Sequence, residues 1–200
     1  MLAMNFMTAV ILSVAAATPT PAPGGVESAL RRRVLNANDI PGYTAVLSHE
    51  PLRTVGDFDE EVASLCVKVE SRHRLSHAGF VSGYEESLGD RSPATGGVAF
   101  SIVSRFASAM RAETFLQRDH RLCGSPTMRQ RYRAGVAKLK VMGIPGSVGY
   151  RLSASGKQTY YLVMFASGSY IYTEALMSRT PAGRRFTSGV DALYERVRGR

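Results

Sequence analysis

The chain has 200 residues, 44% of them hydrophobic and 20% charged, with two cysteines and a formal charge of +9. That length and apolar share point to a single folded domain, with or without a short appendage, and exclude wholesale disorder. The positive balance and a pI near 9.9 favour anionic partners, whether nucleic acid, acidic polymers or lipid headgroups, without choosing among them.

The first residues address the chain to export. Phe6 to Ala17 (FMTAVILSVAAA) is a short apolar run closing on Ala15, Ala16 and Ala17, the small residues a signal peptidase prefers. It falls short of the roughly 20 apolar residues that span a bilayer. No Lys or Arg precedes Arg31, so the basic start of a signal is missing. Either translation begins upstream or the signal is a poor one, and a buried N-terminal helix is the alternative. No cysteine near the cleavage point offers a lipid attachment site. Thr18 to Gly25 (TPTPAPGG) is an extended, solvated spacer. The expected organisation is therefore a signal at 1–17, a linker at 18–25 and one α+β domain at 26–200.

Within that domain, Val26 to Leu35 reads as a short helix with Ala29, Leu30 and Val34 on one face and Arg31 to Arg33 opposite. Pro41-Gly42 turns the chain into a short strand from Tyr43. Asp57, with Glu60 three residues on, caps a helix whose apolar stripe includes Phe58, Val62, Leu65, Cys66 and Val69. Ser71 to Ser92 reads as polar loop with one strand near Gly79 to Tyr84, which leaves Glu85 and Glu86 in the loop. Val98 to Phe106 alternates as a half-buried strand. Ser108 then caps a helix that Gly124 and Pro126 end. Val136 to Met142, Val148 to Ala154, Gln158 to Ala166 and Ser169 to Met177 alternate in turn, the last three joined by short Gly-bearing loops as an antiparallel meander. Thr187 to Val197 closes as a helix. Helices and neighbouring antiparallel strands in this order make an α+β fold with helices packed on the sheet, not a doubly wound nucleotide fold.

The two cysteines sit on apolar helix faces of a chain marked for an oxidising compartment, which predicts a Cys66–Cys123 disulfide. Closing a loop of about 60 residues, it would contribute roughly 4 kcal/mol through the unfolded state. Two buried free thiols are the cytosolic alternative. A reactive Cys123 is disfavoured because a helix C-terminus opposes a thiolate.

Other chemistry is sparse. His73 and His77 are spaced i,i+4, with Asp119 and His120 elsewhere, but HRLSH lacks a metalloprotease glutamate and no CxxC occurs, so no metal is expected. There is no GxSxG, Walker or GxGxxG motif, so no catalytic residue and no cofactor is assigned; Gly146 to Gly149 is a turn. Asp57, Asp59, Glu60 and Glu61 are explained by the helix start. Glu174, within a strand, would need a partner if buried, and Arg151 is the candidate.

Two patterns suit binding. Arg129, Arg131, Arg133, Lys138 and Lys140 form a basic stripe without an acid, fit for phosphates or, more plainly, an edge strand that repels other chains. Tyr150, Tyr160, Tyr161, Tyr170 and Tyr172, with Met164 and Phe165, offer faces for a ligand groove or simply core.

The passage FSIVSRFASAMRAETFL, the segment GIPGSVGYRLSASGKQTYYLVMFASGSYIYTEAL and the strand lead-in LNANDIPGYT resemble exported bacterial domains with a PsbP-like α/β/α sandwich. The likeness covers about half the chain and lacks the N-terminal lipid-bearing cysteine of the lipoprotein members. It implies a non-enzymatic binding or accessory role and carries no catalytic residues. The expectation is a secreted or extracytoplasmic module of the cell envelope. Its partner would be an anionic envelope polymer, a lipid headgroup or another exported protein. The alternatives are a nucleic-acid- or polyanion-binding protein using residues 129–140 and, third, an envelope hydrolase.

Overall fold

The computed structural model describes residues 25–54, 78–90, 97–123, 135–153 and 158–199. Residues 1–24 of the expected leader and linker, the helix expected around Cys66, His73 and His77, and Arg129, Arg131 and Arg133 of the stripe lie outside the described residues.

Among the described residues seven strands form one sheet: β1 (Tyr43–Leu52), β2 (Phe80–Asp90), β3 (Val98–Phe106), β4 (Val136–Lys138), β5 (Val148–Ser153), β6 (Thr159–Ser167) and β7 (Tyr170–Ser178). The spatial order is β1-β2-β3-β7-β6-β5-β4, and each neighbouring pair is antiparallel. Two meanders thus meet at the β3–β7 pair. Leaving β3, the chain crosses to the far edge through α2 (Ala109–Cys123), which packs on β3, β6 and β7, and then returns strand by strand. The β6–β7 hairpin closes on Gly168-Ser169, with Gly168 at φ 57, a conformation that costs glycine little.

Strand alternation sends residues to two cores. On one face Tyr84, Leu88, Val103, Val163, Phe165, Tyr172 and Leu176 pack beneath α1 (Val26–Arg31), the segment after it and α3 (Gly183–Val197). Phe186, Val190, Leu193 and Val197 recur at helical spacing along α3, and none is more than 1% exposed. On the other face Ile102, Phe106, Leu152, Leu162, Met164, Ile171 and Ala175 meet Ala112, Phe115 and Leu116 of α2. Ser108 caps α2 as expected, its Oγ accepting the Arg111 N–H at 3.3 Å. The result is an α+β fold with helices on both faces of an antiparallel sheet.

Several boundaries differ from those read off the sequence. β2 runs to Asp90, so Glu85 and Glu86 lie in a strand and are 5% exposed, not in a polar loop. Their partners come from β1 and β3, which local pattern cannot reveal. β3 is buried on both faces rather than half-buried, because α2 covers one side while Ser101, on the other, receives the Leu35 N–H at 2.8 Å. α3 begins at Gly183, four residues before Thr187, since Phe186 must reach the core. Among the described residues no helix is long and apolar enough to cross a membrane.

Candidate functional site

At the β4 side of the sheet the start of α3 lies against β5 and β6 and leaves a cleft of about 700 Å³. Tyr161 on β6 forms its floor. The Tyr161 hydroxyl accepts the Ala182 N–H at 3.3 Å, which ties the beginning of the helix to the sheet. Gly183 permits this approach: a Cβ there would stand 3.0 Å from the Tyr161 ring. Leu139, Pro181 and Ala182 complete an apolar wall.

The rest of the lining is cationic. Lys140 follows β4, Arg151 stands directly opposite Tyr161 on β5, and Arg184 and Arg185 occupy the first turn of α3. Arg185 is committed elsewhere, 3.6 Å from the Asp90 carboxylate with its guanidinium over the Tyr43 ring. Lys140, Arg151 and Arg184 are exposed and pair with no carboxylate among the described residues. The first turn of α3 holds no acid, and its N-cap, Ala182, supplies no side-chain cap. Three positive charges therefore share one concavity without compensation, an arrangement that favours an anion.

A second polar group lies inside the fold. Glu86, Ser101 and Glu174 stand on one rung of the sheet, paired strand to strand through β2, β3 and β7. Glu86 has Arg31 at 3.9 Å. Burial pushes its carboxyl above the ordinary value, while Arg31 and then His49 oppose the shift. Glu174 is fully buried, and among the described residues neither carboxyl oxygen has a well-formed hydrogen bond, although the Ser101 side chain is its cross-strand neighbour and a weak donor to it. Burial raises it well above the ordinary glutamate value; Ser101 and Arg196 favour its charged form, and Asp39 opposes it. The expected Glu174–Arg151 pair does not form, because Arg151 lies two strands away and turns to the cleft. Nearby, Arg33 Nη1 donates to the Tyr172 hydroxyl at 2.9 Å and its guanidinium stacks over Tyr170 at 4.1 Å.

The five tyrosines do not make one groove. Tyr150 and Tyr160 pack on the α2 face, while Tyr161, Tyr170 and Tyr172 belong to the α1/α3 face. Only Tyr161 of the five lines the cleft. Of the basic stripe, Lys138 and Lys140 are exposed at the β4 edge and Lys140 reaches the cleft. Cys66 is outside the described residues, and of Cys123 only the backbone, ending α2, is described. Among the described residues no set of His, Cys, Asp and Glu converges on a metal position. Arg184 was not singled out by sequence; RR after a Pro-Ala-Gly turn was its only signal.

No family model matches this chain, and no curated protein matches it. The fold defines an antiparallel α+β sandwich with helices on both faces. Among solved structures it is similar to the extracellular domain of PknH from Mycobacterium tuberculosis. The identity is 10%, the TM-score 0.53, and the match covers 86% of this chain and 97% of that one. That likeness is one of fold.

Proposed function

We propose that this chain is an exported, non-catalytic binding or accessory module of the cell envelope that recognises an anionic partner. The observation that carries the reading is the cleft whose lining includes Lys140, Arg151 and Arg184 and, among the described residues, no acid. Export is supported by the signal-like run at 6–17 and the spacer after it, and by a fold shared with an extracellular domain. PsbP-like layering and a Cys66–Cys123 disulfide belong to the same proposal. A binding role rather than catalysis is favoured because the pKa-shifted carboxyls, Glu86 and Glu174, lie beneath helices, away from the cleft. A general acid or base must reach its substrate within hydrogen-bond distance.

Fractionation of cells expressing the full chain, followed by mass spectrometry without reductant, tests this. The expected product is extracytoplasmic, starts after Ala17 and contains no free thiol. A cytoplasmic chain with both thiols free would overturn it.

Nucleic-acid binding through residues 129–140 is the second reading, favoured by the exposure of Lys138 on the edge strand and of Lys140 just after it. Filter binding at two salt concentrations separates the two. Tight, steeply salt-dependent oligonucleotide binding that survives replacement of Arg151 and Arg184 would favour this second reading.

A further inference from the structure

The cleft is open to solvent and mixes apolar with cationic residues. Its volume of about 700 Å³ falls within the range of small-molecule sites. Its lining sets the Tyr161 ring, Leu139 and Pro181 next to the cationic residues Arg151, Arg184 and Lys140. Guanidinium forks match tetrahedral oxyanions two hydrogen bonds at a time, whereas an ammonium acts as a point charge. The cations come from three separate parts of the chain, the β4–β5 connection, β5 and α3, so the cluster is a product of the fold and not of one basic run. The start of α3 adds its own partial positive charge, but the three cationic lining residues define the site.

Resting on the reading of this cleft as an anion site, we infer that its ligand is a phosphate ester: one phosphate group held by Lys140, Arg151 and Arg184, joined to a short apolar body lying on Tyr161 and Pro181. A phosphate satisfies both forks and relieves the mutual repulsion of the three cations. The apolar wall has no use for a bare inorganic ion. A lipid headgroup with its first methylenes and a soluble alkyl phosphate share this chemistry.

Calorimetric titration of the full chain with hexyl phosphate, inorganic phosphate and hexyl glucoside tests the inference. Hexyl phosphate is expected to bind about fivefold or more tighter than inorganic phosphate, from the added apolar burial. Hexyl glucoside should give no measurable heat. The triple variant Lys140→Gln, Arg151→Gln, Arg184→Gln should weaken hexyl phosphate by about tenfold or more, and Arg184→Gln alone by a smaller factor. Lys138→Gln, outside the cleft, should change nothing. Circular dichroism melting confirms that the variants, all at exposed positions, stay folded; if the triple variant unfolds, Arg184→Gln decides. Co-sedimentation with vesicles containing phosphatidic acid, alongside hexyl phosphate binding, assigns the ligand to a lipid; hexyl phosphate binding alone assigns it to a soluble ester. Equal affinity for hexyl and inorganic phosphate would overturn the phosphate-ester inference while leaving the anionic cleft intact. Unchanged affinity in folded cleft variants would overturn the site itself. Neither result bears on export.

Discussion

Arg196 Nη1 meets Asp39 Oδ1 at 2.6 Å across 157 residues of sequence, and Arg196 Nη2 also donates to the Val34 carbonyl at 2.7 Å. The second Asp39 oxygen receives the Asn36 N–H at 2.8 Å. One guanidinium thus locks the turn before β1 onto the last helix. The Asp39 side chain is only 7% exposed, so the pair is largely withdrawn from water.

Removing the partner has a clear cost. Arg196→Met should destabilise the domain by about 2–3 kcal/mol, at or below the low end for broken buried pairs because a quarter of the Arg196 side chain remains in solvent. Arg196→Lys should recover only part of that, since an ammonium cannot span both acceptors. Urea unfolding of the two variants beside the parent reads the difference directly. Equal midpoints for the parent and the Met variant would show that the lock contributes nothing.

Close approach is enforced on the same helix by Gly189. A Cβ there would stand 2.7 Å from Ile40 Cγ1 and 2.8 Å from the Asp39 carbonyl oxygen. Gly189→Ala should therefore destabilise by about 1–3 kcal/mol through overpacking, despite alanine's intrinsic helix preference of about 1 kcal/mol. A raised melting temperature would contradict the packing of α3 on the 39–40 turn.

Glu174 predicts a pH dependence with a definite sign. Its folded-state carboxyl is raised, chiefly by burial, well above the ordinary value of 4.5 that applies in the unfolded chain. Below about pH 4.5 both states hold the proton, and the group adds no slope. As pH rises beyond that, the unfolded chain releases its proton first, so stability falls until the folded-state carboxyl also ionises. Glu174→Gln should flatten this decline and be more stable than the parent at pH 8, with little difference at pH 4. Glu86, raised in the same direction, should leave a residual slope. Denaturation midpoints of parent and variant from pH 4 to 8 make the comparison; a constant difference across that range would refute the assignment.

The aromatic centre of the α1/α3 face offers a packing test. Phe165 is fully buried, stacks on Tyr172 with ring centres 4.6 Å apart and meets the Tyr194 ring edge-on at 5.6 Å. Phe165→Ala should cost about 3–5 kcal/mol, and Phe165→Leu distinctly less, because leucine fills most of the void. Thermal melts of both variants would expose a misplaced core if the two losses were equal.

Local chemistry in the sequence determined a good deal. The alternation of Val98 to Phe106 and of the last three strands, the turn at Ser167-Gly168, and the capping of α2 by Ser108 all depend on neighbours a few residues apart. Period and turn chemistry record such relations directly. Tertiary structure alone decided the rest. Glu85 and Glu86 read as loop because their strand is completed by β1 and β3, and the tyrosines divide between two faces because helices cover both sides of the sheet. Lys140, Arg151 and Arg184 line one cleft because the chain crosses from β3 to the far edge before returning, which brings the start of α3 beside β5 and β6. A one-dimensional pattern carries no record of which distant segments share a wall, since that follows from burying both faces of the sheet at once.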